Sequence, residues 1–283
     1  VSKDALRMWE RRYGFPRPQR DVNGERIYPA DQVEKLRLIK RLMDRGHRPG
    51  RLIGQSVDAL MALGSLPQTA SETSQEIQVF LRLIRAHQPS ELRRHLSQTL
   101  MRQGLQRFVT DTVAPLNVAV GDAWIRGELA VFEEHLYTEQ IQGLLRNAIA
   151  SMQAQGRAPR VLLTSLPNEP HGLGLLMVEA LLAVEGAACI PLGTETPCDD
   201  IVRAAVAHRA DIVALSFSAM FSDKAAVAGL MELRTLLASP ILIWAGGACI
   251  QRIRKPIAGV DLLGSLEALI DKVKEWRTLH ASL

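Results

Sequence analysis

The sequence predicts a multidomain α and α/β protein, and three observations carry that prediction. Positive charge is gathered at one end: residues 1–57 hold fourteen Lys/Arg against seven Asp/Glu, a net of +7, whereas the whole 283-residue chain carries only +4. A middle stretch, 71–155, repeats apolar residues at helical spacing. From 159 onward short apolar runs alternate with helical stretches, the pattern of an open parallel sheet with helices on both faces. Length and composition, 47% hydrophobic and 23% charged, suit a globular chain of two or three domains.

The basic head, 1–57, reads as helix, hairpin, helix. Ser2 caps a helix over Lys3 to Tyr13, which Gly14, Pro16 and Pro18 stop. Asn23-Gly24 marks a hairpin turn between arginine-rich flanks. A second helix runs from Asp31 to Arg45 with Val33, Leu36, Ile39 and Leu42 on one face, and Gly46 ends it. Arg7 and Arg11 lie one helical step of four apart, so both can face one groove, beside Arg12; Arg17, Arg20 and Arg26 flank the hairpin. A basic end on a near-neutral body points to a polyanion, most simply double-stranded DNA. The chain opens on Val1 rather than Met, so its start is read as trimmed or incomplete.

Residues 58–70, with small residues and Pro67, read as a linker. Four helices follow in 71–155. Their apolar faces are Ile77, Phe80, Leu81 and Ile84; Leu92, Leu96 and Leu100; Phe108, Val109, Val113, Leu116 and Val120; and, on a helix from Glu133 to Met152, Leu136, Ile141, Leu144, Leu145 and Ile149. Short connections between them predict a four-helix bundle. In 156–283 the expected strands are Arg160 to Leu166, Ala187 to Leu192, Asp211 to Ser218, Ile241 to Trp244 and Val260 to Leu263. Open parallel sheets bind ligands beyond the carboxyl ends of their strands.

The loop after the first of these strands reads Asn168-Glu169-Pro170-His171-Gly172-Leu173-Gly174. An imidazole there sits where such sheets bind ligands. Glu169 can take its other ring proton and make it a better metal ligand, and Gly172 and Gly174 let a bulky group approach the backbone. A nucleotide site could explain glycines at this place, but the chain has no GxGxxG turn after the first strand. Cys189, Cys198 and Cys249 have no CxxC spacing, which argues for reduced thiols and against a zinc site. Ser216 has no His/Asp pair by position, and His47, His87, His95, His208 and His280 are scattered, so no catalytic constellation is expected and the chain is not read as an enzyme. With no apolar run long enough for a bilayer and no secretory signal, a cytoplasmic location without membrane contact is expected.

Three motif sets resemble known families. Ser2-Lys3-Asp4-Ala5-Leu6-Arg7-Met8-Trp9-Glu10-Arg11-Arg12-Tyr13-Gly14, with Pro16, Pro18 and Arg20 and then Gly24-Glu25-Arg26-Ile27-Tyr28, resembles the winged helix-turn-helix of MerR-family regulators. The resemblance makes Arg7, Arg11, Arg12, Arg17, Arg20, Arg26 and Tyr28 the DNA-binding set, with Trp9 and Tyr28 also packing helix against wing. That family begins with a further helix, which is missing here. Glu169-x-His171-x-x-Gly174 resembles the Asp/Glu-x-His-x-x-Gly signature of cobalamin-binding domains, and Ser216-Phe217-Ser218 and Gly246-Gly247 stand where those domains have a serine and a glycine pair near the nucleotide tail. In such Rossmann/flavodoxin-like domains the cofactor's lower base leaves cobalt and enters the sheet edge, and the histidine replaces it.

Trp124, followed ten positions on by Glu134 and then His135, resembles the cap of adenosylcobalamin-dependent MerR regulators of the CarH/LitR type. There the indole covers the upper cobalt face, and carboxylate and imidazole contact the upper ligand. The resemblance implies a light- and cobalamin-responsive transcriptional regulator, read as a repressor, that forms homo-oligomers (dimer or tetramer) on operator DNA. Some light-sensing relatives have a histidine directly after the tryptophan; here that position is Ile125, which cannot ligate metal, so a stable bis-histidine photoproduct is not expected. Two other readings use the same residues: a corrinoid methyl carrier, which has no need of a winged head, and a MerR regulator that has lost its cofactor or uses another, such as haem.

Overall fold

In a computed structural model of the chain, the described residues are 3–22, 24–44, 47–64, 75–152 and 157–280. The expected cap Ser2, turn residue Asn23 and helix stop at Arg45-Gly46 lie outside them, as does 65–74. The head contains α1 (Lys3–Tyr13), an antiparallel hairpin of β1 (Gln19–Arg20) and β2 (Arg26–Ile27), α2 (Ala30–Asp44), α3 (Pro49–Leu52) and α4 (Val57–Gly64). Gly14, at φ +67°, ends α1 in the left-handed conformation. Trp9, Leu36, Ile39, Leu42, Leu52 and Leu60 form a core of their own, with Tyr28 packed on its edge, as expected for a residue joining wing to helix. The linker expected over 58–70 is helical as far as Gly64. Ser56 caps α4 by accepting the Ala59 N–H at 3.1 Å, and Leu60 is fully buried in the head core.

The bundle consists of α5 (Gln75–Arg85), α6 (Pro89–Gln103), a third helix in segments, and α9 (Val131–Ser151). The third helix runs through α7 (Leu105–Arg107), a π-helical turn (Phe108–Val113) and α8 (Ala114–Ile125). At the π turn Ala114 N–H reaches back five residues to Val109 O, and Pro115, with no N–H, follows it directly. The fourth helix starts two residues before its expected start. Glu133 sits in its first turn, where its buried carboxylate accepts from Ala130 N–H at 2.6 Å and lies 2.9 Å from His87 Nε2.

The last segment is a five-stranded, wholly parallel sheet in the order β4-β3-β5-β6-β7: β3 (Arg157–Thr164), β4 (Ala187–Gly193), β5 (Ile212–Ser216), β6 (Leu242–Gly246) and β7 (Asp261–Leu263). Helices α10 (Leu173–Val184) and α13 (Leu266–His280) cover one face over Val161, Leu163, Ala214 and Trp244. Helices α11 (Cys198–Ala207) and α12 (Asp223–Leu236) cover the other over Leu162, Val213, Leu215 and Ile243. This is the flavodoxin-like order, whose connections reverse direction between β3 and β5. Helix α10, Leu-Gly-Leu-Leu-Met-Val-Glu-Ala-Leu-Leu-Ala-Val, is apolar nearly all round. A helix of that kind must be covered on more than one side, and α10 lies between the sheet and α9 in one continuous core. Among the described residues no helix is long and apolar enough to cross a membrane.

At the tips of β5 and β6 the backbones approach closely. Phe217 N–H donates to Gly246 O at 3.0 Å, and a Cβ on Gly247, which sits at φ +101°, would lie 2.3 Å from Phe217 O. Gly247→Ala should therefore cost roughly 2–4 kcal/mol in urea unfolding. Gly246→Ala, whose Cβ would meet nothing nearer than Leu263 at 3.8 Å, should change stability by less than about 1 kcal/mol. Equal losses for the two variants would contradict the backbone argument.

Candidate functional site

The loop carrying His171 leaves β3 at the point where the sheet's connections reverse. Glu169 is 1% exposed, yet its carboxylate is fully engaged. It accepts from His171 Nδ1 at 2.5 Å, His171 N–H at 3.2 Å, Ser218 N–H at 2.7 Å and Ser218 Oγ at 2.9 Å. Ser165 Oγ donates to Glu169 O at 2.6 Å and accepts Glu195 N–H at 2.9 Å, so the loops after β3 and β4 are tied as well. Burial would raise the Glu169 pKa, but the hydrogen bonds from His171 and Ser218 outweigh it and hold the carboxyl below its ordinary value. The imidazole itself stays outside, with 53% of its side chain exposed. With Nδ1 fixed, Nε2 is the atom through which it would ligate a metal.

Ser218, which donates twice to Glu169, is the residue that sequence reasoning missed. Of the two serines in Ser216-Phe217-Ser218, the resemblance points to Ser216, the last residue of β5, as the one near the nucleotide tail. Ser216 is buried and faces α10, where a Cβ on Gly174 would lie 2.4 Å from its Oγ. The usable signal was position: a carboxylate in the loop after one strand meets the residues just beyond the tip of the adjacent strand. Gly246 pairs with Ser216 across β5 and β6, so Gly174, Ser216 and Gly246 lie together between α10 and the sheet. Gly247 answers to the Phe217 backbone instead.

The three cap residues share the corner between α8 and α9. Trp124 is half-buried in the last turn of α8, and Glu134 and His135 are in the first turns of α9. Thr138 Oγ1 donates to Glu134 at 2.8 Å, and exposed His135 lies 3.6 Å from the same carboxylate. Trp124 packs against both the bundle core and the head core. The bundle in turn rests on α10, where Asn117 Nδ2 donates to Met177 Sδ at 3.2 Å.

In the head, Arg7, Arg11 and Arg12 are exposed on α1. Arg7 pairs with Asp4 at 3.2 Å, and Arg12 lies over the Tyr13 ring at 5.4 Å. The hairpin arginines are held within the head: Arg17 Nε donates to Gly14 O, Arg20 to Gly24 O, and Arg26 Nε to Glu10 at 3.2 Å, which ties β2 to α1.

Family comparisons fall on these same three segments. Residues 1–52 match the MerR HTH family regulatory protein model, and 76–148 and 159–262 match two B12 binding domain models. The chain is 29% identical over 255 residues to the HTH-type transcriptional repressor CarH of Myxococcus xanthus, covering 88% of this chain and 85% of that protein. It is 30% identical over 218 residues to the HTH-type transcriptional repressor CarA of the same organism, covering 77% of this chain and 72% of that protein. The chain belongs to the MerR-type, cobalamin-sensing regulators of the CarH/CarA family. The fold of its last two segments is shared with the Methanosarcina barkeri monomethylamine corrinoid protein, at TM-score 0.55 and 16% identity over 69% of this chain and 96% of that one. As a member of this family the protein is a DNA-binding regulator and not an enzyme.

The site fits the cofactor that this regulator family takes. Among the described residues no group of three or more His, Cys, Asp or Glu side chains is placed to hold a metal ion. His171 offers one half-exposed imidazole nitrogen, which suits a metal that arrives with its other ligands, as the cobalt of a corrin does. The glycines beside Ser216 supply a face without side chains, although α10 lies so close there that a group entering between helix and sheet has to lift the first turn of α10.

The lowered Glu169 pKa has a signed consequence. The stabilisation it contributes is complete above the ordinary carboxyl value of 4.5 and is lost as pH falls through the lower folded value. Glu169→Gln should give a melting temperature that varies less with pH below 4.5 than that of the wild type. An unchanged pH profile would rule out the carboxylate as the acid-sensitive group.

Proposed function

We propose that the protein is a cytoplasmic, light-responsive repressor that binds adenosylcobalamin with His171 as the lower cobalt ligand. The carrying observation is the half-exposed imidazole held through Nδ1 by buried Glu169 at the sheet's switch point, in a chain that also carries a MerR head. Glu169 and Ser218 orient the ligand. Gly174, Ser216 and Gly246 form the side along which the nucleotide tail enters, while Gly247 keeps the tips of β5 and β6 close beside it. Trp124 covers the upper face, and Glu134 and His135 bond the ribose hydroxyls of the adenosyl group.

Bound cofactor bridges cap and sheet and favours assembly of a homo-oligomer, dimer or tetramer, whose several heads grip one operator with higher effective concentration. When bound, adenosylcobalamin would supply a photolabile cobalt–carbon bond; Trp124, Glu134 and His135 would hold its adenosyl group, so loss of that group in light would loosen the cap. A winged head is of no use to a methyl carrier, and an intact His171, Glu169 and Gly174 set argues against a regulator that has dropped its corrinoid.

Anaerobic protein mixed with adenosylcobalamin in darkness should take on a base-off corrin spectrum that changes irreversibly under green light. His171→Ala should weaken binding at least tenfold in the same titration, and a wild type that binds no corrinoid would refute the proposal. In the head, Arg7, Arg11 and Arg12 face the DNA groove, while Arg17, Arg20, Arg26 and Tyr28 set the wing against the backbone. Arg11→Ala should weaken operator binding and, if Arg11 contacts a phosphate, lower the slope of log affinity against log salt by about 1. An unchanged affinity would remove Arg11 from the interface.

A further inference from the structure

Trp244 carries the one buried side-chain polar atom, among the described residues, that finds no hydrogen-bond partner. Its indole is 1% exposed in the middle of β6, and its Nε1–H is sealed off without an acceptor. A buried donor left unpaired is costly, because folding strips it of water and returns nothing. Such an atom in an otherwise satisfied core calls for a reason.

Its position supplies one. Trp244 stands two residues before Gly246, so both face the same side of the sheet. Across β5 and β6, Trp244 pairs with Ala214 and Gly246 with Ser216, and Ser216 meets Gly174 of α10. Gly174, Ser216 and Gly246 thus form the mouth of the seam between the sheet and α10, and Trp244 lies about 6–7 Å deeper along the strand, roughly the length of a fused bicyclic base. Ala214 beside it is small, and the surrounding side chains from α10 and α13 are apolar.

We infer that Trp244 is the floor of the lower-base site and donates its Nε1–H to the ring nitrogen that the displaced base has withdrawn from cobalt. The chemistry is complementary. An indole N–H can only donate, and the unprotonated nitrogen of a benzimidazole in that position can only accept. When His171 takes over the metal, that nitrogen loses its partner at the same time as it enters the apolar seam, so two unpaired groups satisfy each other. The site would then select among corrinoids by their lower base. A base with an acceptor nitrogen gains the bond. A phenolic base attached through oxygen has no such nitrogen and leaves Trp244 unpaired, a rejection that a purely apolar pocket cannot achieve.

This rests on the base-off reading of the His171 site and is tested separately from it. Corrin absorbance reports whether a corrinoid binds at all, and full-length protein carrying 15N-indole tryptophan reports the Trp244 N–H, assigned by its absence in Trp244→Phe. Cobalamin should move that signal downfield, and a phenolyl cobamide with the same ribose and phosphate should not. Wild type should prefer cobalamin by about tenfold, and Trp244→Phe should erase the preference. Equal shifts with both corrinoids, no shift despite bound cobalamin, or a preference that survives in Trp244→Phe would each overturn the inference. A wild type that binds neither corrinoid removes the parent reading and this one together.

Discussion

The buried carboxylate of Glu169 is the constraint on which the sensory end of the molecule depends. An ionised carboxylate with 1% exposure is tolerable only when donors surround it. Here the donors come from its own loop and from Ser218, beyond the tip of the neighbouring strand. Satisfying one charge therefore fixes three things at once: the path of the loop after β3, the position of the residues following β5, and the orientation of the His171 ring. The imidazole can remain half exposed and still be held, because its restraint comes from the nitrogen turned inward. An apolar residue at 169 could fill the same volume, but it would leave the ring free to rotate and Ser218 N–H without its acceptor.

What happens at that loop does not stay there. Helix α10 begins two residues after His171, lies on Ser216 through Gly174, and on its other side supports the bundle. Met177 of α10 accepts from Asn117 of α8, and Asn117 in turn accepts from the buried Tyr137 hydroxyl of α9. A group that parts α10 from the sheet moves the one element that both layers share. The same apolar surround that makes α10 a good spacer makes it a poor hinge, since every shift breaks packed contacts on two sides. A rearrangement there is expected to be discrete.

The layers of the fold were legible because each follows a single period: helical spacing through the bundle, short apolar runs in the sheet, concentrated charge in the head. Glu169 and His171 were legible because both halves of the pair lie in one short loop. Ser218 was not, because its meeting with Glu169 is made by strand adjacency across 49 residues, and nothing local separates it from Ser216. The helical stretch Val57–Gly64 was hidden for a related reason. Its small residues and the nearby Pro67 read as a connector, while what holds it helical is burial of Leu60 in the head core. The glycine pair was only half informative. Gly247 is required by the Phe217 carbonyl of the protein itself, so a glycine expected beside a ligand can be there first for the backbone.

Trp124 raises the question of how a sensor at one end reaches a DNA reader at the other. The indole is shared: it packs on the bundle core and on the head core, where α2 and α4 meet α8. An indole covered from two sides has little surface left to lay over a corrin. Its backbone is anchored in α8, which is also held by the bundle and, through Asn117, by α10, so the contact that can yield most readily is the one with the head. On the role proposed for Trp124, covering the cofactor and docking the head would draw on one side chain. Linkage through a shared residue is reciprocal: whatever free energy the cofactor takes from the head contact, a docked head withholds from the cofactor. With Trp124 in the cofactor-covering role proposed for it, the packing of the MerR head would enter the binding equilibrium at that residue rather than ride passively on a corrinoid module.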